Sequence, residues 1–145
     1  MKNLHKNKYF AVFIILSFLI YAMSNGEWCV PIFAWVYPIL FLCMVYLNHT
    51  RKAYLIISSI YAIGFVVQFG RAIGMDIKIC ILVAVLSSFL KVLPYIFWSK
   101  SKMRFQDTII FASIMVSIEY IIYLIYPILG GLSDAYTQYQ NLYLL

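Results

Sequence analysis

The sequence predicts an all-α protein, an integral membrane bundle of about five transmembrane helices. Three observations carry that prediction. The 145 residues are 65% hydrophobic and 11% charged, with a mean hydropathy of +0.91, whereas soluble domains run about half apolar and about a quarter charged. The apolar residues gather into five runs, each near the roughly 20 residues a helix needs to cross hydrocarbon. The basic residues then fall in short clusters between those runs, which is the pattern of membrane-flanking charge. That last point disposes of nucleic-acid binding, which the net charge of +6 and pI of about 9.2 would otherwise invite.

Residues 1–8 form a basic head, expected to be cytoplasmic, with Lys2, Lys6 and Lys8. The first span follows at 9–26, centred on FAVFIILSFLIYAM. The same stretch also fits a signal peptide: a basic start, an apolar centre, and Ala22 and Ser24 placed like a cleavage site. The second span, 28–48, carries Pro31 and Pro38, and the third, 53–70, reads AYLIISSIYAIGFVVQFG. The fourth, 79–98, contains Lys91 and Pro94, and the fifth, 108–129, contains Glu119. The five spans make up a transmembrane domain at 9–132, and a tail expected outside follows at 133–145.

The short loops orient the bundle. Lys2, Lys6, Lys8, Arg51, Lys52, Lys100, Lys102 and Arg104 collect on one side, against Arg71 and Lys78 on the other. Positive residues stay cytoplasmic, so the N-terminus is expected inside and the C-terminus outside. Trp28, Trp98 and several tyrosines fall at span ends, where amphipathic rings favour the interface. Gly70 and Gly74 share the spacing of a helix-packing pair, but beside Arg71 they read as a loop turn.

Two charges lie inside predicted spans. Lys91 stands about two turns from the cytoplasmic end of its span, within snorkelling distance of that surface. Glu119 lies roughly 16 Å into its span at 1.5 Å per residue, near the midplane and too short to reach either surface. A charge there costs about 2.5–3.5 kcal/mol, while each Leu, Ile, Phe or Val returns about 0.3–0.6 kcal/mol. Twelve such residues between 108 and 129 offset it. The carboxylate must therefore face the bundle interior, neutral or paired, and Lys91 is the candidate partner if the last two spans form an antiparallel hairpin. A proton or substrate pathway through Glu119 is the competing reading.

The three cysteines are too scattered for a disulfide framework or a metal site. Cys43 and Cys80 are expected to pack as small buried hydrophobes, and Cys29 lies at a span boundary. His5 and His49 sit in polar flanks. No glycine-rich phosphate loop, metal-ligand cluster or nucleophile–base pair is present, so no cofactor is expected and no catalytic residue is assigned.

Several motifs resemble one family. SIEYI at 117–121 is followed by Gly130 and Gly131, and then by AYTQYQNLYLL at 135–145. Earlier, GEWCVPIFAWVYPILFL at 26–42 places Trp35 in an Ala-Trp pair, and LPYIFW at 93–98 precedes a basic loop. The combination resembles the membrane domain of bacterial apolipoprotein N-acyltransferases, which precedes a nitrilase-like (carbon-nitrogen hydrolase) domain. The resemblance rests chiefly on Glu119 with Tyr136, Thr137 and Gln138. It implies the bacterial cytoplasmic (inner) membrane, a role in lipoprotein biosynthesis, a phospholipid as acyl donor and a lipoprotein as acceptor. The family's Glu–Lys–Cys triad belongs to the nitrilase-like domain, and neither Glu119 nor any cysteine here matches it. The expected product is thus the anchoring membrane domain, truncated or split, and inactive alone. The alternative is a small stand-alone multi-pass protein acting as a scaffold or transporter component.

Overall fold

The computed structural model describes residues 2–25, 29–47, 51–69, 76–101 and 105–125. Among these there are five α-helices and no strand: α1 (Lys2–Ala22), α2 (Pro31–Leu47), α3 (Arg51–Phe69), α4 (Ile77–Lys100) and α5 (Phe105–Ile125). Each apolar run of the sequence forms one helix. Two of them, α3 and α4, are long and apolar enough to cross a membrane, while the apolar parts of α1 (Phe10–Ala22) and α2 are shorter. The basic head does not stand apart from the first helix, because α1 already begins at Lys2.

Local chemistry explains the helix ends. Pro31 opens α2, where its missing N–H breaks no helical bond. Asp76 caps α4, its carboxylate accepting from the Lys78 amide at 2.8 Å. At the other end the Ser101 amide donates to the Phe97 and Trp98 carbonyls, both at 3.2 Å, and α4 stops. Pro38 and Pro94 lie within helices, where each removes one backbone donor.

Packing follows the three-and-four spacing of a helical stripe. On α2 the buried positions are Ala34, Tyr37, Phe41, Met44 and Val45, and on α3 they include Ala53, Ile57, Ile60, Tyr61, Gly64 and Gln68. On α4 a line of small residues, Cys80, Ala84 and Ser88, is buried before Val92 and Tyr95. Small side chains let backbones approach closely, and α3 and α4 make the most extensive helix pair. Helix α1 lies against α2 and α3, and α5 packs on α4.

The centre is aromatic. Tyr21, Tyr37, Phe41, Tyr61, Tyr95 and Phe111 are all buried, and they draw on every helix of the bundle. Their rings meet mainly edge to face, with Tyr21–Tyr61 at 4.9 Å, Tyr21–Tyr37 at 5.0 Å and Tyr95–Phe111 at 5.0 Å between centroids. Such pairs contribute about 0.5–1.5 kcal/mol each beyond burial. Tyr21 also fixes the close approach of α1 to α3, because a Cβ on Gly64 would collide with its ring. The Gln68 amide donates to the Tyr21 carbonyl at 2.6 Å, and the Ser24 hydroxyl donates to the same oxygen at 2.7 Å. Ser24, a residue of the cleavage-like pattern, is thus fully buried at the end of a helix built into the core.

Cys80 is buried as expected, whereas Cys43 is exposed on α2. Hydropathy alone cannot distinguish these two. Cys43 lies one residue off the stripe that buries Met44 and Val45, so the helical phase turns it outward.

Candidate functional site

The site is assembled on the α3–α4–α5 side of the aromatic core. Antiparallel packing of α3 on α4 is held by polar pairs at helical spacing. Tyr54 donates to Ser99, the Ser58 and Ser88 hydroxyls lie 3.1 Å apart, and the Tyr61 and Tyr95 hydroxyls lie 3.0 Å apart. These residues repeat at steps of four and three along α3, and of seven and four along α4. Each therefore returns to the shared seam.

Lys91 projects from the same region of α4. Its Nζ lies 3.6 Å from Glu119 Oε1 on α5, with the two side chains 14% and 16% exposed. The separation is that of an ion pair rather than a short charge-assisted hydrogen bond. The ammonium also stands 5.6 Å from the centroid of the Tyr61 ring, within reach of the favourable electrostatics of an aromatic face. Lys91 thus joins three helices: it is carried by α4, meets a ring of α3 and meets a carboxylate of α5. Removing either partner of such a pair leaves a charge stranded away from water.

The other sequence-singled residues are not gathered here. Trp35 is exposed on α2. Tyr136, Thr137 and Gln138 lie outside the described residues. Among the described residues no group of three histidine, cysteine or acidic side chains could hold a metal ion. What the arrangement can do is mechanical and electrostatic: it neutralises two charges against each other and fixes α5 to α4.

Sequence reasoning missed the participation of Tyr61 and Tyr95 and the Ser58–Ser88 contact. The signal was the recurrence of Tyr54, Ser58 and Tyr61 on one α3 stripe, facing Ser88, Tyr95 and Ser99 on α4. In an aromatic-rich chain, single tyrosines carry little weight until that phase is read.

No family model matches the chain, and neither does any curated protein or solved structure.

Proposed function

We propose that the chain is a five-span unit of the bacterial cytoplasmic membrane, with its N-terminus inside and its C-terminus outside. In this reading it serves as the membrane-embedded N-terminal domain of an apolipoprotein N-acyltransferase-like protein, anchoring a catalytic domain at the outer leaflet. The observation that carries it is the double membership of Glu119. This residue belongs to the motif that resembles the family, and it also holds α5 to the rest of the bundle through Lys91. The helix that leads to the Tyr136–Thr137–Gln138 tail is therefore fastened to the bundle by that residue.

Physical support for the span count comes from length and surface. At 1.5 Å per residue, the 17 residues of α2 rise about 26 Å and the 21 of α5 about 32 Å, against a hydrocarbon core of about 30 Å. Large apolar side chains face outward, among them Leu82, Leu86, Phe89 and Phe97 on α4 and Ile110, Val116 and Leu124 on α5. That surface suits lipid, whereas water would penalise it. The exposed hydroxyls of Ser59, Ser113 and Ser117 donate to carbonyls four residues back, at 2.8, 3.0 and 2.8 Å. A hydroxyl satisfied within its own helix is compatible with hydrocarbon.

The pairing of Glu119 with Lys91 favours an anchoring role over a proton or substrate pathway. Complementation tests the assignment. In cells depleted of their own apolipoprotein N-acyltransferase, a nitrilase-like domain of that family joined after Leu145 is expected to restore lipoprotein N-acylation, while the 145 residues alone do not. Acylation by the chain alone would overturn the reading. Equal rescue when the same domain is joined to an unrelated membrane anchor would reduce it to the stand-alone scaffold.

A further inference from the structure

One end of the α3–α4 hairpin concentrates exposed cations. Arg51 and Lys52 are exposed in the first turn of α3, which contains no acidic residue, and Lys100 is exposed in the last turn of α4. The Tyr54–Ser99 hydrogen bond joins these two helix ends side by side. Close by, Trp98 Nε1 is buried without a hydrogen-bond acceptor among the described residues. The acidic residue brought to this end is Asp107, half-buried in the first turn of α5.

We propose that this end of the hairpin is a binding surface for an anionic phospholipid headgroup, with Arg51, Lys52 and Lys100 engaging its phosphodiester. Charge complementarity selects the occupant. A phosphatidylglycerol headgroup brings net negative charge to three cations, whereas phosphatidylcholine brings its own ammonium, which they repel. The first turn of α3 adds the positive end of the helix dipole to the same patch. The inference rests on the membrane-embedded reading and adds a lipid class and a place to it.

Lipid retention by the full chain in neutral detergent micelles tests the proposal. Phosphatidylglycerol and phosphatidylcholine with identical acyl chains are titrated separately, and the population carrying a bound lipid is read by native mass spectrometry. Phosphatidylglycerol is expected to be retained preferentially, and the variant Arg51→Gln/Lys52→Gln/Lys100→Gln is expected to weaken that retention at least about tenfold. The comparison variant Lys78→Gln, at the opposite end of α4, is expected to change it less than about threefold. Raising salt over the wild-type protein gives a variant-free arm, in which phosphatidylglycerol retention falls and phosphatidylcholine retention does not. Equal retention of the two lipids, equal losses in the two variants, or salt-insensitive retention would each overturn the proposal. A chain that stays dispersed without detergent would instead refute the membrane reading itself, so the two failures are distinguishable.

Discussion

Lys91 and Glu119 are the residues on which the interior depends most sharply. Each alone is a charge in an apolar setting, and together they neutralise one another across α4 and α5 at 3.6 Å. Truncating one partner strands the other, so Lys91→Met and Glu119→Gln are each expected to destabilise by about 1–3 kcal/mol. That is less than the cost for a fully buried pair, because both side chains keep some exposure. The double variant is expected to lose less than the sum, with a coupling of about 1 kcal/mol in a double-mutant cycle. Unfolding titrations of the four proteins in micelles provide the check, and strictly additive losses would contradict the pairing. The charges were legible in the sequence because each interrupts an apolar run, and helix depth brought them to comparable levels. The Tyr61 ring beside Lys91 was not legible, because only packing decides which of the 13 tyrosines faces the ammonium.

At the scale of the elements, the helices were largely readable and their seams were not. Apolar runs near 20 residues located all five helices, while the starts of α2 at Pro31 and of α4 after the Asp76 cap fell a few residues from the expected 28 and 79. The periodic burial of Cys80, Ala84 and Ser88 is hidden in a run where nearly every residue is apolar, since hydropathy then carries no phase. The same problem put Cys43 on the wrong face. Gly64 shows what such a seam demands. Its missing side chain makes room for the Tyr21 ring, and this lets α1 settle on α3 and receive the Gln68 hydrogen bond. Gly64→Val is therefore expected to destabilise the bundle by about 1–3 kcal/mol through overpacking. Tyr21→Ala is itself expected to destabilise by about 3–5 kcal/mol, but in its background Gly64→Val is expected to cost less than in the wild type, because the colliding ring is gone. Thermal unfolding of the single and double variants decides the matter, and a Gly64→Val protein as stable as the wild type would show that α1 does not pack there.

For the molecule as a whole, the proposed orientation rests on apolar surfaces and basic helix ends. The starts of α1 and α3 and the end of α4 share the side that the lysines and arginines favour, and positive residues are retained in the cytoplasm. The Tyr54–Ser99 bond places the start of α3 beside the end of α4, and the Gln68–Tyr21 bond places the ends of α1 and α3 together. In the proposed five-span reading, the chain that follows α5 would emerge outside, where the proposed catalytic partner domain would act. Single-cysteine labelling tests this most directly, in a background carrying Cys29→Ser, Cys43→Ser and Cys80→Ser. A membrane-impermeant maleimide added to intact cells is expected to label Gly74→Cys and Ser133→Cys. Asn3→Cys, His49→Cys and Lys102→Cys should react only after the membrane is permeabilised. Labelling of Ser133→Cys and Lys102→Cys from the same side would contradict the five-span account.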